Sequence, residues 1–97
     1  LTNQAALSGT LIEKKAMRYT PAGLPVIEVR LMHESTVTEA ATPRSVQFEV
    51  KAKAIGEAAE RLASIPLGQQ IRAQGFLAPA RLHSNQLNFH LTNFDLE

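Results

Sequence analysis

One stretch, Ser45 to Ala54, constrains this chain more than any other. Val46, Phe48, Val50, Ala52 and Ala54 fall on one parity, and Gln47, Glu49, Lys51 and Lys53 fall on the other. A β-strand sends successive side chains to opposite faces, so this stretch has one apolar face and one polar face. At helical spacing the same apolar residues would spread around the whole cylinder. The apolar face needs a core to cover, and Phe48, on that parity, is expected to pack inside it. The polar face carries two lysines and is free to meet a partner.

The flanking segments supply the rest of a small sheet. In Ala5 to Met17, Leu7 and Leu11 share a parity with Gly9 between them. A glycine there predicts a bulge or sharp coil, as a long first strand needs if it is to serve both ends of a barrel. Tyr19-Thr20-Pro21-Ala22-Gly23 reads as a turn. A second strand runs from Leu24 to His33, with Ile27, Val29, Leu31 and His33 alternating against Glu28, Arg30 and Met32. From Glu34 to Arg44 the alternation stops, which predicts a long hairpin loop. Ser45 to Ala54 is the third strand. Gly56 to Ser64 changes period: Ile55, Ala59 and Leu62 recur at helical spacing and Pro66 ends the run, so a helix of about two turns follows. Gln70 to Leu77 is a fourth strand and Ala78 to Gln86 a second loop. Leu87, Phe89 and Leu91 open a fifth strand, whose apolar parity then moves to Phe94 and Leu96. One extra residue near Thr92-Asn93 would produce that switch, as a bulge does.

Strand, strand, strand, short helix, strand, strand is the order of the OB-fold, a five-stranded Greek-key barrel. The expectation is a single all-β domain over residues 1–97, with the helix between strands three and four. The competitor is an up-and-down sheet with a stray helix, against which the first-strand glycine and the helix position both argue.

Composition removes several functions. No cysteine is present, so there is no disulfide framework and no thiolate chemistry, which fits a reducing, cytoplasmic setting. No apolar run approaches the roughly 18 residues of a membrane span, and no secretory leader is visible. His33, His83 and His90 fit no zinc spacing. No phosphate loop, nucleophile elbow or paired-carboxylate signature occurs, so neither an enzyme, a cofactor nor a small-molecule substrate is expected. A formal charge of +1 does not by itself announce a nucleic-acid partner. The distribution of charge is more telling, because Arg30 and Lys51 lie on the outward parities of neighbouring strands.

Thr2-Asn3, Leu7-Ser8-Gly9-Thr10, Pro21-Ala22-Gly23-Leu24-Pro25, Leu31, His33, Ser35, Arg44, Gly68, Ile71 and Gln74-Gly75-Phe76 stand in collinear order over nearly the whole chain. Together they resemble the family of primosomal replication protein N, the PriB family. The resemblance implies an OB-fold homodimer similar to bacterial single-stranded DNA-binding proteins. It implies binding of single-stranded DNA, assistance to the PriA helicase in replication restart, and a handover to DnaT. By the same resemblance Arg18 and Arg44 match basic positions at the end of strand one and of the first long loop, and Arg81 and His83 match lysines of the second loop. Arg18, Arg30, Arg44, Lys51, Arg81 and His83 are therefore the candidate nucleic-acid contacts. The chain departs from the family at Thr42, where some members carry an aromatic, at Gln47, where some carry tryptophan, at Glu34, where a basic residue can occur, and at Asn88, a lysine position. Fewer stacking aromatics predict weaker DNA binding. They also keep open the alternative of an OB-fold module that mainly recruits proteins. Among the aromatics, Phe89 and Phe94 read as core, while Phe76 and Tyr19 lie where exposure is open. His33 reads as a semi-buried, hydrogen-bonded histidine.

Overall fold

The computed structural model describes residues 1–97. Its elements are β1 (Ala5–Lys14), β2 (Arg18–Tyr19), β3 (Pro25–Glu39), β4 (Thr42–Ile55), α1 (Glu57–Ala63), β5 (Gln70–Pro79) and β6 (Leu87–Leu96). The sheet runs β1-β5-β6-β4-β3-β2, and β1 also pairs with β3. That extra pairing closes β1, β5, β6, β4 and β3 into a five-stranded barrel, the OB-fold expected from the element order. The two-residue β2 only appends to β3, so the helix after the third long strand lies between β4 and β5.

β1 serves two neighbours in succession. Ala5 to Thr10 pair with β5, and Thr10 to Lys14 pair with β3. The register shift falls between Leu11 and Glu13, so the bulge sits at Ile12 rather than at Gly9. Gly9 has a different task. A Cβ there would lie 3.1 Å from Leu31 Cβ and 3.2 Å from the Met32 carbonyl oxygen, so the missing side chain lets β3 approach closely. The parity switch in the last strand has the cause expected: Gln74 pairs with Asn93 but Gly75 with Leu91, which leaves Thr92 unpaired. Phe89, Leu91 and Phe94 are consequently all buried.

The core is a single cluster that includes Leu11, Val29, Leu31, Ile71, Leu91 and Phe94. α1 closes it with Ala58, Ala59 and Leu62, while Ile55, grouped with them by spacing, is exposed. No side chain caps the helix N-terminus. At the other end Lys14 Nζ donates to the carbonyls of Ala63 (2.9 Å) and Ile65 (2.7 Å), placing a cation where the helix dipole favours one.

The largest difference from the sequence expectation lies between Glu34 and Arg44. This segment is not a loop. β3 and β4 stay paired from Val26–Ile55 to Glu39–Thr42, and only Ala40 and Ala41 form the turn. Both alanines have positive φ, 50° and 63°, the geometry of a type I′ hairpin turn that usually takes Asn-Gly. Ser, Thr and Glu on both faces hid the strand, because a ribbon with water on each side needs no apolar alternation. β3 has 15 residues, and at about 3.3 Å per residue it reaches roughly 50 Å. The molecule measures 49 Å along its longest axis.

The ribbon also corrects the placement of Phe48. Its parity is inward, but it sits where β4 leaves the barrel, and it is 40% exposed. It packs on His33, its cross-strand partner, with ring centroids 4.9 Å apart. The Ser8 carbonyl can only accept, so His33 Nδ1 carries a proton and donates to it at 2.6 Å, while Nε2 shares a hydrogen bond with Ser35 Oγ at 2.8 Å. His33 is the semi-buried, hydrogen-bonded histidine expected.

Candidate nucleic-acid interface

The outward parity of β3 and β4 builds one charged surface. Arg30 lies directly opposite Lys51, Glu28 opposite Lys53, and Met32 opposite Glu49. Glu13 of β1 extends the row beside Arg30, and His90 of β6 lies beside Lys53. The segment after β5 then folds back over this surface and brings Arg81 with it. Between them lies a groove of ≈ 590 Å³ lined by Lys15, Arg30, Lys51 and Arg81, with Glu28 and Glu49 as its carboxylates. Four cations against two carboxylates give the groove a positive excess that the net charge of the chain conceals.

These cations are not equivalent. Arg30 lies 3.6 Å from both Glu13 and Glu49. Lys15, Lys51 and Arg81 take part in none of the ion pairs of the structure, so their charge is free for an anion. Arg18 pairs with Glu28 at 2.8 Å, on the margin of the groove. Arg44 pairs with Glu39 at 2.7 Å near the ribbon tip, outside the groove. Exposed pairs of this kind contribute only about 0–1 kcal/mol, so a phosphate can displace the carboxylate at small cost. His83, with φ 62°, lies in the segment between β5 and β6 and does not line the groove. Of the six candidate residues, then, Arg30, Lys51 and Arg81 come together; Arg18 is peripheral, and Arg44 and His83 lie elsewhere.

Lys15 was not among the six. Its backbone N–H donates to the Glu28 carbonyl at 2.9 Å, which continues the β1–β3 ladder past Lys14 and sets it beside Glu28. In sequence Lys14 and Lys15 look alike. Only the bulge at Ile12 decides that Lys14 turns to the helix end and Lys15 to the groove. Arg61, near the end of α1, is structural. It lies 4.4 Å above the Phe94 ring and donates to Asn93 Oδ1 and the Phe94 carbonyl.

Two further aromatics outside the groove lining are exposed. Tyr19 on β2 is 67% exposed, and Phe76 on β5 is 37% exposed. Phe76 stacks on His90 across the β5–β6 ladder. Burial, and then the positive charge of Lys53, lower the His90 pKa below its ordinary 6.5, so the ring is neutral at pH 7. No three His, Asp or Glu side chains gather as a metal site.

Comparison with known proteins places this surface in context. A model described as "another single-strand binding protein family" matches residues 3–93. Replication restart protein PriB of Bordetella pertussis is 49% identical over 89 residues, covering 92% of this chain and 83% of the relative. The chain belongs to the PriB family. PriB of Nitrosomonas europaea is 42% identical over 92% of this chain and 82% of its own length. The solved structure of PriB from Ralstonia solanacearum matches with a TM-score of 0.91 at 34% identity, over 100% of this chain and 99% of that one. The single-stranded DNA binding protein of Thermus aquaticus matches at a TM-score of 0.77 and 25% identity, over 99% of this chain and 50% of that one. PriB relatives thus share the barrel on which the groove is built.

Proposed function

We propose that the chain binds single-stranded DNA along the groove of Lys15, Arg30, Lys51 and Arg81, as an accessory protein of replication restart. One observation carries this reading: three separate segments bring cations without carboxylate partners to one groove. Such a groove tracks a phosphate backbone, and exposed aromatics beside it supply stacking surfaces for bases. Family membership supports the rest of the reading. The chain acts as a homodimer in the cytoplasm, assists the PriA helicase and passes the strand to DnaT, and it has no catalytic step of its own.

Fluorescence anisotropy with labelled dT and mixed-sequence oligonucleotides tests the reading. Lys51→Ala and Arg81→Ala should weaken binding to all sequences alike, because phosphate contacts carry no base information. A second reading, a protein-recruiting module that touches DNA weakly, is favoured by Glu28 and Glu49 inside the groove and by Gln47, opposite Glu34 on the ribbon, where some family members carry tryptophan. Unchanged DNA affinity in both variants, with PriA binding lost, would select it.

A further inference from the structure

The groove does not end at Asn88. On the same outward face Asn88 is followed by His90, and Ala78, its cross-strand partner, is preceded by Phe76. Phe76 and His90 face one another with centroids 4.9 Å apart and planes inclined by 14°. That separation equals the strand spacing, so the two rings stack face to face as one aromatic step across β5 and β6, with His90 covering one face of Phe76 and the other face left toward β1. Lys53 flanks the step on the β4 side. On the β1 side lies an open hollow of ≈ 570 Å³ lined by Gln4, Ala5, Ala6, Gln74, Gly75 and Thr92.

The hollow has the chemistry of a base site. None of its lining residues carries a charge, so nothing in it repels a polyanion. Its floor is small because Ala5, Ala6 and Gly75 have little or no side chain. The Gln4 and Gln74 carboxamides are exposed and have no side-chain hydrogen bond within the chain. Each therefore offers both a donor and an acceptor to a base edge. The hollow is also held in place. Asn3 Nδ2 donates to the Leu77 carbonyl at 2.8 Å and Asn3 Oδ1 accepts from the Leu77 N–H at 3.1 Å, which pins the N-terminal segment beside Phe76.

We infer that this step and hollow form a nucleobase site: a base of single-stranded DNA leaving the cationic groove stacks on Phe76 and is held at its edge by Gln4 and Gln74. The inference rests on the groove being the DNA path. It adds a stacking residue that compensates for the aromatics missing at Thr42 and Gln47. Continuity with the groove favours a nucleic-acid strand over a second copy of the chain as the occupant.

The test compares a dT oligonucleotide with an abasic deoxyribose-phosphate strand of equal length, by anisotropy at fixed salt. Phe76→Ala should weaken dT binding about 5- to 150-fold, the range that base stacking commands. Binding of the abasic strand should not change. Phe76→Leu keeps the apolar volume but lacks the π-face, so it should lose dT affinity likewise while melting like the parent; it carries the test if the alanine variant does not fold. Equal dT affinity in parent and Phe76→Leu would overturn the inference, as would a change in sedimentation with DNA affinity intact, which would make Phe76 a chain–chain contact. Parent protein that binds neither strand would instead overturn the groove reading itself.

Discussion

Gly75→Ala tests how the barrel accommodates its bulge. The unpaired Thr92 pushes the β6 backbone toward β5, and Gly75 takes up the approach. A Cβ on residue 75 would stand 1.7 Å from the His90 carbonyl oxygen and 2.8 Å from its carbonyl carbon. A carbon–oxygen contact needs about 3.3 Å, so the two backbones must separate by roughly 1.5 Å. The obstacle is main chain, and no rotamer change relieves it. Overpacking of this kind costs about 1–3 kcal/mol, and each ladder hydrogen bond stretched beyond its range adds about 0.5–1.5 kcal/mol. A loss of about 3 kcal/mol or more is expected from a domain whose whole stability is about 5–15 kcal/mol. For a chain of this size that lowers Tm by about 12–24 °C. Gly9→Ala provides the internal comparison. Its Cβ would meet Leu31 Cβ at 3.1 Å and the Met32 oxygen at 3.2 Å, contacts that shifts of a few tenths of an ångström relieve. It should cost about 1 kcal/mol, or about 4–8 °C. Thermal melts by circular dichroism decide the matter. A Gly75→Ala variant melting within a few degrees of the parent, or above Gly9→Ala, would refute the bulge argument.

Phe94→Ala should cost about 3–5 kcal/mol, since it empties a buried site and removes the ring beneath Arg61, whereas Phe48→Ala, with 40% of its side chain exposed, should cost well under half of that in the same urea titration. Replacing Ala40-Ala41 by Asn-Gly puts at the two positive-φ positions the residues that tolerate them best and should slow hydrogen exchange of the ribbon amides; faster exchange there would contradict the turn assignment. The lowered pKa of His90 means that the unfolded chain takes up the proton first as pH falls. Its contribution to stability is therefore fully present above about pH 6.5 and is lost as pH drops through the depressed folded value. Following the His90 ring by NMR titration should show a midpoint below 6.5 that rises in Lys53→Met; a midpoint at or above 6.5 would contradict the assignment.

How much of this was legible in the sequence depends on burial. The alternation in Ser45–Ala54, the helical spacing around Ala59 and the parity switch at Thr92 all reflect an inward face that must be apolar, and each appears in the structure where the pattern put it. Glu34–Arg44 lacked such a face, because both sides of a ribbon meet water, so its strands carried no period. Phe48 was misplaced for the same reason: parity gives the side of the strand but not where the barrel ends. Arg30 and Lys51 were legible as partners because they share an outward parity across neighbouring strands. Lys15 was not, because its direction is set by a bulge one turn of the ladder away. The hollow beside Phe76 was likewise out of reach, since it joins the N-terminal segment to β5 and β6 through Asn3, a contact across 74 positions of sequence.

The central claim is that single-stranded DNA is held by cations of one groove, and the salt dependence of binding tests it most directly. Three to four phosphate contacts from Lys15, Arg30, Lys51 and Arg81 predict a log–log slope of about −2 to −3 for a dT oligonucleotide. In the Lys51→Ala/Arg81→Ala double variant the slope should become shallower by about 1.4, the counterion release of two contacts. A flat response in the parent protein, or an unchanged slope in the double variant, would contradict the account.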